Sequence, residues 1–371
     1  MAESNQYKVV ISGGGTGGHI YPAIAIANAL KELMPGTEIL FVGAQGRMEM
    51  EKVPAAGYKI EGLWISGIQR RLTLDNLLFP VKVLSSYRRA KQIIREFKPD
   101  IAIGVGGYAS FPLLFAASRM GIPTLIQEQN GYAGVANKFL ASKAEKICVA
   151  YEGMGKFFPA DKLVLTGNPV RKDIVSVDAR RQQAYEHFGL DAQKKTLLVI
   201  GGSLGARTIN ESIDQGLERI GQENIQVLWQ TGKWYIDQAR KRAEAFKSVN
   251  VFDFIYEMDL AYAAADIVIS RAGALSISEL SLVGKPVILV PSPNVAEDHQ
   301  TKNAMALVQK EAAILVKDEA AREHLIEEAM TLLNDAKQQE RLGKNIRTLG
   351  RPDAAMEISR LVQETIRNKK K

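Results

Sequence analysis

Cysteine is almost absent from this chain. The single one, Cys148, lies in an apolar run, which excludes a disulfide framework and fits a reducing compartment. Histidine is nearly as scarce. His19, His187, His299 and His324 are scattered with no metal-ligand spacing, so no metal site is expected. No run of about 18 apolar residues occurs to span a bilayer, and Met1 to Gln6 lack the charged-then-apolar pattern of an export signal. A cytoplasmic protein, soluble or peripheral to a membrane, is the expectation. Aromatic residues make up only 7% of the chain, and they do not interleave with the basic residues as a single-strand nucleic-acid groove requires.

What is present is basic charge, unevenly placed. The net charge is +7, and segment 66–99 carries eight basic residues (Arg70, Arg71, Lys82, Arg88, Arg89, Lys91, Arg95, Lys98) against Asp75 and Glu96. Leu72, Leu74, Leu77, Leu78 and Phe79 are interleaved with the first of them. Basic plus aliphatic residues suit an anionic membrane surface better than nucleic acid, so residues 70–80 are expected to touch a membrane. For residues 82–98 the expectation is an ordinary amphipathic helix, with Leu84, Tyr87, Ala90, Ile94 and Phe97 as the core stripe and the basic residues opposite.

Short β-branched runs alternate with helical periodicity along the whole chain. Lys8–Ser12, Glu38–Val42, Ile101 onward, Thr124–Gln127, Lys146–Ala150 and Leu163–Thr166 read as buried strands. Helices are expected at 20–33, 48–56 and 111–120. The pattern restarts at Thr196–Ile200 and continues through strands at 227–230, 249–254, 267–270, 287–290 and 313–316. This alternation predicts two tandem doubly wound parallel α/β domains, 1–170 and 171–353. A last helix at 354–368 is expected to pack back on the first domain, and Lys369-Lys370-Lys371 reads as a frayed tail. Ligands of such sheets sit at the carboxyl ends of the strands. Two domains facing each other would form a cleft with the glycine turns on its walls.

Each domain opens with a strand that runs through glycines into a helix. In the first, Val9-Val10-Ile11-Ser12 leads to Gly13, Gly14, Gly15, Thr16, Gly17, Gly18 and His19; in the second, Ile200 leads to Gly201-Gly202-Ser203-Leu204-Gly205-Ala206. Such turns bring backbone N–H groups and a helix's positive end to one point, a place for phosphate. They serve equally as turns that only let helix pack on strand. The dinucleotide fingerprint also wants an acid about 20 residues on, but Val42 runs into Gly43-Ala44-Gln45 and Val227-Leu228-Trp229 into Gln230. No Gly-Lys-Ser/Thr follows either, so the P-loop fails too. At Ala272–Glu279 a strand meets a helix that begins with serines. Its N–H groups and hydroxyls suit a diphosphate and Glu279 suits a ribose diol, or Ser276 and Ser278 are caps and Glu279 merely complements the dipole. Gln300 and Asn303 are of the type that binds sugar hydroxyls, or are turn and cap residues.

Six motifs occur in order over nearly the whole chain: Gly14-Gly15-Thr16-Gly17-Gly18-His19, Gly106-Gly107-Tyr108, Glu128-Gln129-Asn130, Gly167-Asn168-Pro169-Val170-Arg171, Gly201–Ala206 and Arg271–Ser276. Together they closely resemble the MurG family, whose members have the two-Rossmann GT-B fold. They transfer N-acetylglucosamine (GlcNAc) from UDP-GlcNAc to undecaprenyl-pyrophosphoryl-MurNAc-pentapeptide (lipid I), giving lipid II for peptidoglycan. The resemblance implies that uracil meets backbone near Ile255 and ribose meets Glu279. The diphosphate would face Ser203 and the turn Ala274, Leu275, Ser276, Ile277 and Ser278, while Arg171 adds positive charge and Gln300 holds the GlcNAc hydroxyls. Thr16, Gly17, Gly18 and Asn130 would approach the sugar from the first domain. Gly13, Gly14, Gly15, Gly104, Gly106, Gly107 and Tyr108 would receive the acceptor's diphosphate. His19 is the candidate base for an inverting displacement, with Glu128 in reserve. No cofactor is required on this view. The implied partners are UDP-GlcNAc, lipid I, the anionic inner leaflet of the plasma membrane, at its cytoplasmic face, and other cell-wall synthesis and division proteins, with no nucleic acid. One departure stands out: the family often has His before Glu-Gln-Asn, and this chain has Gln127.

Two other functions fit the same architecture. A UDP-sugar epimerase would act on UDP-GlcNAc without a lipid acceptor, and has no use for the basic–apolar segment 66–80. A non-catalytic, membrane-bound ligand sensor would leave every activity unchanged in His19→Ala and Glu279→Ala.

Overall fold

The computed structural model describes residues 6–67, 78–170, 174, 177–202, 204–295 and 298–370. The chain divides into two compact units, residues 1–170 with 353–371, and residues 171–352.

In the first unit all seven strands are parallel, in the order β3-β2-β1-β4-β5-β6-β7: β1 (Lys8–Ser12), β2 (Glu38–Ala44), β3 (Lys59–Leu63), β4 (Ile101–Gly104), β5 (Thr124–Glu128), β6 (Lys146–Val149) and β7 (Leu163–Leu165). Val9, Val10 and Ile11 have no exposed surface because helices cover both faces of the sheet. Edge strand β3 is not evident in the sequence, where charge and a glycine interrupt Lys59-Ile60-Glu61-Gly62-Leu63. The helices are α1 (Gly17–Leu33), α2 (Glu49–Ala55), α3 (Phe79–Phe97), α4 (Ser110–Arg119) and α5 (Val135–Leu140). Helix α1 begins at Gly17, three residues before the apolar periodicity does, and this places His19 in its first turn.

Helix α3 keeps Ala90 and Ile94 of the expected stripe in the core with Tyr87 and Phe97 packed against it, and departs from that reading at Leu84. Its buried residues are Lys82, Ser86, Ala90, Ile93 and Ile94, whereas Leu84 is about half exposed at 49%. Lys82 reaches inward to donate to Ser66 Oγ at 3.1 Å and lies over the Trp64 ring. Leu78, Val81 and Leu84 lie outward.

In the second unit six parallel strands follow the order β10-β9-β8-β11-β12-β13: β8 (Lys195–Ile200), β9 (Ile225–Gln230), β10 (Val249–Phe252), β11 (Ile267–Ser270), β12 (Val287–Leu289) and β13 (Ile314–Leu315). Its helices are α6 (Arg181–Phe188), α7 (Arg207–Gln222), α8 (Ile236–Ala243), α9 (Met258–Ala264), α10 (Ala274–Val283), α11 (His299–Val308), α12 (Ala321–Asn334) and α13 (Ala336–Arg347). The last helix, α14 (Ala354–Lys370), packs on α1 through Ile358, Val362 and Ile366 in the first unit's core. It runs through Lys369, which donates to the Gly121 carbonyl, so the expected fraying does not begin there.

Both sheets reverse direction at their first strand, between β1 and β4 and between β8 and β11. A crevice opens outside the strand ends at each such reversal. The glycine turns lie there: 13–18 and 104–108 in one unit, 201–206 and 271–276 in the other.

Candidate active site

At the first reversal the two glycine turns touch through their backbones. A Cβ on Gly107 would lie 2.3 Å from the Gly14 carbonyl oxygen, so this approach requires glycine. Thr16 is the N-cap of α1, and its carbonyl accepts from His19 N at 3.1 Å and Ile20 N at 3.2 Å. The N–H groups of Gly17 and Gly18 open the helix, where intrahelical acceptors are lacking. His19 Nδ1 lies 3.1 Å from the Gly14 carbonyl oxygen and 3.3 Å from Thr16 Oγ1. A carbonyl only accepts, so a hydrogen bond to it requires the proton on Nδ1 and leaves the lone pair of a neutral ring on Nε2. The imidazole packs on Gly106, whose φ is +93°; a Cβ there would lie 2.8 Å from Nε2. Tyr108 is half exposed and stands beside Gly15 and Gly67.

Glu128, the reserve base, is 2% exposed and loaded with donors. Oε1 accepts from Asn130 N at 3.2 Å and Nδ2 at 3.5 Å; Oε2 accepts from Gly134 N and Asn137 Nδ2, both at 2.9 Å. A carboxylate so engaged clamps the loop after β5 and is poorly placed to take a substrate proton. Gln127 is also structural, with no exposed surface. It donates to Asn168 Oδ1 at 2.9 Å and accepts from Gln129 Nε2, which donates to Val105 O at 2.6 Å. Asn168 Nδ2 closes the network on Gln129 O at 3.0 Å. Gln127 therefore belongs to a buried amide network that braces the second glycine turn.

At the second reversal, α10 begins after Gly273, whose carbonyl accepts from Ile277 N at 2.9 Å. The N–H groups of Ala274, Leu275 and Ser276 precede the first intrahelical donor and suit an anion. Ser278 Oγ donates back to Ala274 O at 2.9 Å, so its hydroxyl proton is not directed at a phosphate. Glu279 Oε2 accepts from the hydroxyl of fully buried Tyr262 at 3.1 Å, which fixes the carboxylate one turn into the helix. Ile255 N donates to Gln230 Oε1 at 2.9 Å, while Gln230 Nε2 donates to Gly202 O at 3.1 Å. A base hydrogen-bonding to the Ile255 N–H would have to displace Gln230. Gln300 Oε1 accepts from Ser292 N at 2.8 Å, which fixes the amide with its N–H groups still able to donate. Arg271 is an internal brace, bonded to Val290 O, Pro291 O and Asp318. Arg171 and Ser203, and the membrane candidates Arg70, Arg71, Leu72, Leu74 and Leu77, lie outside the described residues. Among the described residues, no group of three or more His, Cys, Asp or Glu side chains is arranged to hold a metal ion.

Sequence reasoning passed over Gln230, Tyr262 and Glu49. Gln230 gives a signal in hindsight, as a polar residue ending a buried strand at its carboxyl end. Tyr262 gives none. Glu49 opens the helix after β2, where an acid in the first turn reads as an ordinary helix start.

Two family models cover these units, the glycosyltransferase family 28 N-terminal domain over residues 9–149 and its C-terminal domain over residues 196–358. A Cytophaga hutchinsonii protein named UDP-N-acetylglucosamine–N-acetylmuramyl-(pentapeptide) pyrophosphoryl-undecaprenol N-acetylglucosamine transferase is 62% identical over 371 residues, the full length of both chains. The chain belongs to the MurG family. The crystal structure of Acinetobacter baumannii MurG matches 97% of this chain and 99% of its own, with 26% identity and a TM-score of 0.78. A Neisseria meningitidis UDP-GlcNAc 2-epimerase matches 98% of this chain and 100% of its own, but at 15% identity and a TM-score of 0.65 it shares only the fold. Membership in the MurG family thus separates the transferase from the epimerase reading.

Proposed function

We propose that the chain transfers GlcNAc from UDP-GlcNAc to the C4 hydroxyl of MurNAc in lipid I, with inversion at C1, to give lipid II. The observation that carries this reading is the 62% end-to-end identity to a transferase of that name. The switch-point geometry supports it.

The second unit takes the donor. Glu279, held by Tyr262, accepts from the ribose hydroxyls. The N–H groups at 274–276, with Ser276 and Ser203, receive the diphosphate, and Gln300 donates to GlcNAc. Arg171 adds positive charge. The first unit takes the acceptor, with its diphosphate at the turns 13–15 and 104–108 and with Thr16, Gly17, Gly18 and Asn130 toward the sugar. His19 Nε2 removes the C4 hydroxyl proton as that oxygen attacks C1. The C1–O bond to UDP breaks, and its electron pair stays on the β-phosphate. Backbone dipoles and cationic side chains meet that charge, so the proposed reaction uses no metal or cofactor.

The acceptor is lipid-linked, and the first unit offers a face for a membrane. Among the described residues, no helix is long and apolar enough to cross one. Leu78, Val81 and Leu84 are outward on and before α3, and Val135 and Phe139 on α5 are 67% and 68% exposed. Phe79 is half-buried beside them. Tyr87, Phe115, Phe111 and Phe139 form a run of ring contacts, tilted, stacked and edge-on in turn, with centroid spacings of 5.6, 5.7 and 5.8 Å. Lys91, Arg119 and Lys143 lie over its rings. An apolar ridge rimmed by cations suits peripheral binding to the anionic cytoplasmic leaflet of a bacterial plasma membrane.

The test is transfer of labelled GlcNAc to a short-chain lipid I analogue, with UDP-GlcNAc alone as control. Conversion to another UDP-sugar in the control would establish an epimerase instead. Serine at Leu78, Val81, Leu84 and Phe139 should abolish binding to anionic vesicles while sparing the short-chain acceptor. Equal loss on both would reject the membrane face.

A further inference from the structure

Glu49 has no exposed surface, yet nothing in the proposed reaction uses it. Oε1 accepts from Ala44 N at 3.0 Å, at the end of β2, and Oε2 accepts from Gly15 N at 2.9 Å, inside the first glycine turn. The turn is built around this carboxylate: a Cβ on Gly14 would lie 2.2 Å from Oε1, and one on Gly43 would lie 2.6 Å from Cγ.

The N–H of Gly15 and the C=O of Gly14 are the two ends of one peptide group. Its oxygen is the acceptor of His19 Nδ1, at 3.1 Å. An unbroken chain therefore runs from the Glu49 carboxylate to the Gly15 N–H, across the planar amide, and from the Gly14 oxygen to the His19 ring. A negative group at the N–H end of an amide shifts electron density toward its oxygen, and hydrogen bonds in such a chain reinforce one another. The oxygen becomes a stronger acceptor, and the ring is held with its proton on Nδ1. In a hydrolase triad an aspartate does this directly against the imidazole; here one peptide group stands between.

We infer that Glu49 is a positioning residue for His19, acting through the Gly14–Gly15 peptide group to hold the imidazole in the Nδ1–H tautomer with Nε2 as the basic nitrogen. The catalytic consequence rests on the reading of His19 as the base; the tautomer does not. Thr16 Oγ1, 3.3 Å from Nδ1, shares the same proton, and the Gly106 backbone walls the Nε2 edge. A purely structural Glu49 would hold the loop without biasing the ring.

The experiment is nitrogen NMR of the full chain with 15N-labelled histidine, the His19 signals being assigned by their loss in His19→Gln. In the wild type the neutral ring should show a protonated Nδ1. Glu49→Gln keeps the shape but must present an NH2 group to one of the two N–H donors. The Nδ1–H population should then fall. By analogy with other residues that orient a functional histidine, kcat should drop roughly 10- to 100-fold, with the KM for UDP-GlcNAc unchanged within about twofold. Glu49→Asp, which retains the charge, should recover part of both. A wild-type ring protonated on Nε2 overturns the proposal even if the variant does not fold, as does a Glu49→Gln ring unchanged from wild type. Normal transfer by His19→Gln overturns the base assignment instead, and with it the catalytic half of this inference.

Discussion

Replacing Glu128 by glutamine distinguishes a loop clamp from a catalytic base. The carboxylate meets Asn130 N and Nδ2 with one oxygen and Gly134 N and Asn137 Nδ2 with the other. Glutamine keeps one acceptor and turns an NH2 toward the remaining donors, so one or two of them lose their partner. Each buried unsatisfied group costs about 1–3 kcal/mol, which makes about 3 kcal/mol the expected loss. For a domain of this size 1 kcal/mol shifts the melting temperature by about 2–4 °C. The transition of the first unit should therefore fall by roughly 6–12 °C, while UDP binding, which the proposed function assigns to the second unit, stays as in the wild type. Turnover measured well below that transition should be largely retained. A catalytic base would behave in the opposite way: stability within about 0.5 kcal/mol of wild type and turnover lost by orders of magnitude. That result would refute the clamp and return Glu128 to the chemistry.

Three further outcomes are expected. Glu279→Ala should weaken UDP binding by about 1–3 kcal/mol, measured by titration calorimetry, and Tyr262→Phe by about 0.5–1.5 kcal/mol through loss of the hydroxyl that orients it; unchanged affinity in Glu279→Ala would remove its ribose role. Gly106→Ala places a methyl against the imidazole at a φ that disfavours any side chain, so kcat should fall sharply with donor affinity preserved. A normal rate would show that the ring position does not matter. Burial, followed by the nearby charge of Glu357, pushes the Cys148 thiol from its ordinary value of 9.0 up to about 12. The folded chain therefore keeps this proton where the unfolded chain loses it, and stability from this group declines as pH rises from about 9 toward 12. Iodoacetamide at pH 8 should label Cys148 only under denaturing conditions; labelling of the native chain would contradict its burial.

The central strands were legible because a parallel sheet covered on both faces demands uninterrupted apolar runs such as Val9-Val10-Ile11 and Val268-Ile269. The edge strand at Lys59–Leu63 and the short helices Val135–Leu140 and Met258–Ala264 escaped, being too short or too mixed to show a period. On the helix Phe79–Phe97 the expected stripe holds at Tyr87, Ala90, Ile94 and Phe97 and fails at its first member, where Lys82 rather than Leu84 faces inward. A lysine was buried by its reach to Ser66 and Trp64, a partner set no periodicity reveals. The glycine turns could be located from sequence because a strand running through glycine into a helix is a local pattern. What steadies them is not local: Glu49 lies 34 residues from Gly15, and Gln129 lies 24 from Val105.

That division has a physical basis. A glycine turn presents N–H groups without obstruction, but glycine gives up more conformational freedom on ordering than any other residue. Something outside the turn must hold it in place. In the first unit Glu49 holds Gly15 and Gln129 holds Val105, with Asn168 behind it. In the second, Gln230 ties Gly202 to Ile255, and Asn210 holds the carbonyl of Thr231 beside Gly232. All five are buried polar side chains, which are costly unless bonded. At the strand ends, each is bonded to the backbone of a turn or to a partner that is. Chemistry-bearing residue types in such a chain therefore divide into two kinds, those that present a group to substrate and those that fix the backbone which does so. Glu128 ends its strand, whereas Glu279 lies about one turn inside a helix, and the donors around each one differ as well. Four donors make Glu128 a residue that fixes backbone, and the Tyr262 hydroxyl holds Glu279 where the proposed function has it meet ribose.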